Sequence, residues 1–200
     1  ARRSEFGAKQ LGGDVLGAVD EPAEHDRLET VVDEASNDAD QLNELGVLLT
    51  AELVDVEQAV VTLKGSEFAG ATSLAELQDA KLGAQVGTTS YNAIVDLIQP
   101  SQDLAVYDTN NDAITALKNK QIDGIVVDFP STGYITAVQV PNATVVGRLP
   151  AGEEYFGLVF EEGNPLRDCA NEAIAALQAD GSIEQFQEEW INTSAPPVLE

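Results

Sequence analysis

The chain has one cysteine, one histidine and one tryptophan in 200 residues. Cys169 has no second cysteine with which to form an internal disulfide, and with His25 as the sole histidine there is no zinc constellation. No metal ligand is assigned, and no cofactor is expected. Positive charge is equally scarce. Ten Lys and Arg stand against 35 Asp and Glu, a formal net charge of −25. A surface of that sign is repelled by phosphate backbones and anionic lipid, so nucleic acid is excluded as a partner. No run of about 18 apolar residues occurs, so no helix is expected to span a membrane. No apolar h-region follows Ala1-Arg2-Arg3, as would also hold for an exported chain whose signal segment is not in this sequence.

What is present is a hydrophobic fraction of 44%, enough to fill the core of one domain or two small lobes. The chain changes character near residue 55. Before it, the sequence is acidic and weakly patterned: DVLGAV (14–19) reads as a short strand. The stretch 21–40 reads as a helix, with Leu28, Val31, Val32 and Ala35 at helical spacing. LGVLL (45–49) reads as a short buried strand or a helix end. The dipeptides Glu5-Phe6 and Leu199-Glu200 carry no functional weight.

After residue 55 strands and helices alternate. Strands are expected at 58–63, 81–86, 105–107, 122–127, 144–148 and 155–160. Ser73 with Glu76 reads as a capping box, and Asp112 opens a helix with Ile114 and Leu117 inward. Ile94, Leu97 and Ile98 mark the inner face of the helix after residue 90. Asn164-Pro165 opens a helix with Ile174 and Leu177 toward the core. The last helix starts at Ser182, with Ile183, Phe186 and Trp190 as one packing stripe. Cys169 and Tyr134 are placed in the core, and Tyr91 in packing. The alternation implies parallel βαβ units, hence an α/β fold.

In such folds ligands sit at the carboxyl ends of strands. Gly87-Thr88-Thr89-Ser90 joins strand 81–86 to a helix start, where N–H groups and hydroxyls suit an anion. A carboxylate fits better than a phosphate, because the turn has neither a lysine nor the phosphate-loop spacing. Asp128 follows the apolar strand 122–127 and suits an ammonium group. Each alone is as readily an ordinary helix cap or loop acid. As a pair they match the two poles of an α-amino acid.

Residues 58–190 also carry a resemblance. QAVVTLKGS (58–66), TSLAELQDAKLGAQVGTTSY (72–91), ITALKNKQIDGIVVD (114–128) and GLVFEEGNPLRDCANEAIAALQADGSIEQFQEEWI (157–191) follow one another in a familiar order. They resemble the extracytoplasmic amino-acid-binding proteins of ABC importers, family 3 of the type II periplasmic solute-binding proteins. The resemblance implies two α/β lobes around a cleft. The first lobe would be 1–64 plus 149–200, and the second 65–148. It implies that Thr88 and Thr89 meet the ligand carboxylate with Ser90 at the edge of the turn, that Asp128 meets the ammonium, and that Gln85 helps read the side chain. It implies a monomer whose partners are a small zwitterion and the membrane subunits of the importer. The location would be the periplasm, or the cell surface with a lipid anchor. The family's first lobe supplies a carboxylate-clamping arginine in a segment of the form ITPER. The nearest match here is LLTAEL (48–53), with Leu53 at the arginine position, so the first lobe is shortened or altered. Two other readings share this scaffold: a truncated or engineered derivative that binds nothing, and a dehydratase-type enzyme. No Ser–His or Cys–His pairing favours the enzyme.

Overall fold

The computed structural model describes residues 47–152, 154–192 and 195–200. The strand and helix expected at 14–19 and 21–40 lie outside them. The strands are β1 (Val47–Leu49), β2 (Val54–Asp55), β3 (Gln58–Leu63), β4 (Leu82–Gln85), β5 (Ala105–Tyr107), β6 (Gly124–Asp128), β7 (Ala143–Arg148), β8 (Tyr155–Phe156) and β9 (Val159–Glu161). The α-helices are α1 (Thr89–Ala93), α2 (Asn110–Lys118), α3 (Phe129–Tyr134), α4 (Leu166–Ala179) and α5 (Ser182–Trp190). Ile94–Ile98 and Ile135–Gln139 extend α1 and α3 as π-helical turns.

Five strands form the main sheet in the order β5-β4-β6-β3-β7. β4 runs parallel to β5 and β6, as alternation with helices requires, while β3 is antiparallel to both β6 and β7. The sheet is therefore mixed. Its strands are apolar on successive residues because both faces are covered. Val60, Leu82 and Val126 point to one side, where Leu77, Ile94, Ile98 and Leu149 pack. Val61, Ile125 and Val127 point to the other, against Ile114, Leu117 and Ile135. Gln58–Leu63, which the expected division assigns to the first lobe, is thus a strand inside the five-stranded sheet that also holds β4, β5 and β6.

The end of the chain joins this sheet. Val198 bridges to Arg148 beside β7, and Leu199 is fully buried in the core with Val60, Leu82 and Val146. Gly147 makes room for it: a Cβ there would lie 2.5 Å from Leu199 Cγ and 3.0 Å from the Pro197 carbonyl oxygen. The smaller strands pair apart from the sheet, β1 with β9 and β2 with β8, both antiparallel.

Several local expectations are corrected. Ser73 caps nothing with its side chain, and only one 3-10 turn, Leu74–Leu77, follows it. The Glu76 carboxylate instead accepts from the Thr72 backbone N–H at 2.7 Å. The strand expected at 155–160 is broken by Gly157 and Leu158 into β8 and β9, each with its own partner. Leu97, Leu177, Tyr134 and Cys169 are exposed, as are Phe186 and Trp190, the latter by 75%. Helical spacing identifies an apolar stripe but not whether a neighbour covers it.

Candidate functional site

The topology gathers one end of the sheet. β4 and β6 are parallel, so their carboxyl ends, Gln85 and Asp128, lie side by side. β3 is antiparallel to β6, so its first residue, Gln58, pairs with Asp128. β7 ends beside them, and the Leu149 N–H donates to the Gln58 carbonyl at 2.7 Å. The chain then runs through Pro150 and Gly152 to Glu154, whose carbonyl accepts from the Val56 N–H at 3.0 Å. Gly87, with φ of 69°, turns the chain out of β4 into α1.

At this end the side-chain amide of Gln58 is a hub. Its Nε2 donates to Asp128 Oδ1 at 2.7 Å and lies within 2.9 Å and 3.1 Å of the two Glu154 carboxylate oxygens. It is also 3.2 Å from Thr89 Oγ1. The Thr89 hydroxyl donates to Glu154 Oε1 at 2.6 Å, and the Ser90 hydroxyl donates to Gln58 Oε1 at 2.6 Å. Gln58, Thr89 and Ser90 are buried, and Asp128 is half-buried. Burial pushes the Asp128 carboxyl above the usual carboxylate range; the Gln58 hydrogen bond opposes this, and the negative charge of Glu154 adds to it. A cleft of about 210 Å³ opens beside the hub, with Val56, Gln58, Thr89, Asn92, Asp96 and Glu154 among its lining residues. None of the described residues lining it is cationic.

Of the five residues singled out in the sequence, the structure brings Thr89, Ser90 and Asp128 together. Thr88 and Gln85 serve the frame instead. Thr88 caps α1: its Oγ1 accepts from the Tyr91 N–H at 3.2 Å and donates to the Gln85 carbonyl at 2.9 Å. The Gln85 side chain reaches away to α2, where its Oε1 accepts from the Asn110 N–H at 2.9 Å. Thr88→Ala is expected to cost about 1–2 kcal/mol of stability through the lost cap. Thr89→Ala should cost less in the fold while weakening ligand binding; melting curves and titrations of the two variants separate these effects.

Sequence reading did not single out Gln58 or Glu154. Gln58 had a signal, a polar residue heading an otherwise apolar strand. Glu154 had none, being one of two adjacent acids in a segment without periodicity. Leu53, at the position of the family's arginine, lies between β1 and β2 and donates its N–H to the Phe156 carbonyl at 2.9 Å.

No protein-family model matches the chain. ABC transporter arginine-binding protein 1 of Escherichia coli (strain K12) is 28% identical over 137 residues, which cover 66% of this chain and 54% of that protein. A second protein of the same strain, provisionally named ABC transporter arginine-binding protein 2, is 29% identical over 171 residues, covering 82% of this chain and 66% of its own length. The chain therefore spans less than two thirds of either relative. Among solved structures, an ancestral arginine-binding protein bound to arginine superposes with a TM-score of 0.58 at 22% identity, over 85% of this chain and 78% of that one. In sequence the chain is similar to arginine-binding proteins of ABC transporters, and the fold of its described residues is the α/β fold of the type II periplasmic binding proteins.

Proposed function

We propose that a chain of this kind binds an amino acid or similar small zwitterion outside the cytoplasm and delivers it to the membrane subunits of an ABC importer. The observation that carries this reading is the pairing of Asp128 with Thr89 and Ser90 at adjacent strand ends. Asp128, at the end of β6, offers a half-buried carboxylate to an ammonium. The first turn of α1, at Thr89 and Ser90, is the place for a carboxylate, because the first backbone N–H groups of a helix lack intrahelical partners.

The five-stranded sheet with α1, α2 and α3 would form one lobe. β1, β2, β8, β9, α4 and α5 would belong to the other, with the segments around Val56 and Pro150 crossing between them. The ligand would lie at that crossing. A cationic side chain suits the cleft best, because Glu154 and Asp96 line it without a positive partner among the described residues. The arginine-binding names of the relatives agree with that choice. The ligand would leave unchanged, as from a receptor and not an enzyme.

The test is a thermal-shift screen of the twenty amino acids. A ligand at a hundred times its Kd adds about 2.7 kcal/mol, several degrees for a chain of this size. The expected result is a shift with arginine or lysine exceeding that with neutral or acidic amino acids, and recovery of the ligand unaltered. A cooperative melt that no amino acid moves would overturn the reading.

A further inference from the structure

The last residues of the chain tie two groups of elements together. α5 packs beside α4, and α4 is fastened to β1 and the turn after it. Arg167 Nε donates to the Leu49 carbonyl at 2.8 Å, the Ala51 N–H donates to Asn171 Oδ1 at 2.8 Å, and Gln178 Nε2 donates to the Glu52 carbonyl at 2.9 Å. Residues 195–200, beyond α5, lie on the five-stranded sheet instead. The Arg148 N–H donates to the Pro197 carbonyl at 2.9 Å, the Leu199 N–H to the Arg148 carbonyl at 2.8 Å, and the Leu74 N–H to the main-chain oxygen of Glu200 at 3.1 Å. The buried Leu199 side chain anchors this tail in the core. The chain thus passes between the two groups a third time, besides the segments around Val56 and Pro150.

Arg148 joins the three passages. Both of its backbone groups bond to the tail, and its Nε donates to the Pro196 carbonyl at 3.0 Å. Its Nη1 meets Glu57 Oε2, in the first passage, at 2.5 Å, and its guanidinium lies 5.7 Å from the centre of the Phe129 ring. Leu149, which follows it, begins the second passage. In a chain with 35 acids and ten cations, Arg148–Glu57 is the one ion pair among the described residues. Successive residues Glu57 and Gln58 line different cavities: Gln58 the ligand cleft, and Glu57 a second space of about 280 Å³ that Arg148, Ile191 and Asn192 also line. Val56 and Gly152 line both, so the two crossing segments form the wall between them, and the tail leaves α5 on the side away from the cleft.

Two connections leave two bodies free to rotate about the line through them, and a third attachment off that line restrains the rotation. We infer that the tail after α5, anchored by Leu199 and joined to both crossings by Arg148, is a third hinge strap that limits the movement of one lobe against the other. This rests on the two-lobe reading above and on no particular ligand.

The test is made on the full chain without ligand, by double electron–electron resonance between spin labels on the exposed Cys169 of α4 and on Thr115→Cys, exposed on α2. Inserting Gly-Ser-Gly-Ser after Ala195 lengthens the strap and leaves Pro196–Glu200 to dock as before, since a longer loop costs little entropy. The distribution of label distances should widen at least about twofold, with the unfolding midpoint within about 2 °C of the parent. Arg148→Met, which cuts the joint and spares the Leu199 anchor, should widen it as well; an unchanged width there would overturn the role of Arg148. Two glycines inserted after Gly152 loosen the second crossing and serve as the reference. If they widen the distribution and the longer strap does not, the strap is overturned and the two-lobe reading stands. If neither insertion widens it, the two-lobe reading fails and the strap with it.

Discussion

Asp128→Asn is expected to abolish amino-acid binding while leaving the protein as stable at neutral pH as the wild type, or more so. The two effects have the same origin. In the absence of ligand the Asp128 carboxylate is half-buried, lies near Glu154, and has one neutral hydrogen bond to offset its charge, 2.7 Å from Gln58 Nε2. Removing the charge relieves repulsion and keeps a side chain of the same shape, so stability should change by between zero and a gain of about 1 kcal/mol. Removing it in the complex leaves the ligand's ammonium without its charged partner. That should cost roughly 3 kcal/mol or more, a loss of at least about 100-fold in affinity. Titration and melting curves on one preparation read both numbers. A large fall in stability with unchanged affinity would make Asp128 a structural residue.

The same carboxyl fixes the pH dependence. Its pKa in the folded protein is raised above the ordinary 3.8, first by burial and further by Glu154. The folded state therefore holds this proton to higher pH than the unfolded chain does. Stability from this group is fully present below 3.8 and is lost as pH rises through the raised folded value. Asp128→Asn should flatten that part of the stability profile. Binding runs the other way, because a cationic ligand favours the ionised carboxylate. Affinity should fall as pH is lowered through the folded pKa.

Leu199→Ala is expected to be among the most damaging single substitutions in the described residues, although it lies one position from the end of the sequence. Leu199 is fully buried between Gly147, Val146 and Leu82, and its N–H donates to the Arg148 carbonyl at 2.8 Å. Truncating a leucine in such a site costs about 2–5 kcal/mol, a large share of the stability of an ordinary domain. For 200 residues that is a fall of roughly 6–15 °C in Tm. Gly147→Ala should act on the same contact from the other side by pushing Leu199 out. Chemical denaturation of the two single variants and the double variant tests this: the losses should be less than additive, because both empty the same pocket.

The sheet was legible because each of its strands is an apolar run bounded by turn residues, and the order strand, turn, helix leaves few topologies. Even so, the antiparallel course of β3 could not be read, since a buried strand has the same composition in either direction. Thr89, Ser90 and Asp128 were legible as strand-end residues. Thr88 lies in the same turn and Gln85 at the end of β4 before it, but their side chains satisfy backbone groups; between Thr88 and Thr89, the choice between capping a helix and facing a cleft is made by one residue of register. Gln58 and Glu154 come to the site from pairing between segments 96 positions apart, which no local pattern encodes. Leu199 escaped for a similar reason: a lone leucine near a terminus has no periodicity, and its burial depends on a glycine in another strand.

The account turns on whether a ligand's ammonium sits on Asp128. The most direct measurement is the pH titration of the Asp128 side-chain carboxyl by carbon-13 NMR, without ligand and then saturated with L-arginine. The free protein should show a pKa above the ordinary carboxylate value, and the complex a pKa well below that of the free protein, because a positive charge at hydrogen-bond distance stabilises the ionised form. An Asp128 titration that is the same with and without arginine would contradict the account.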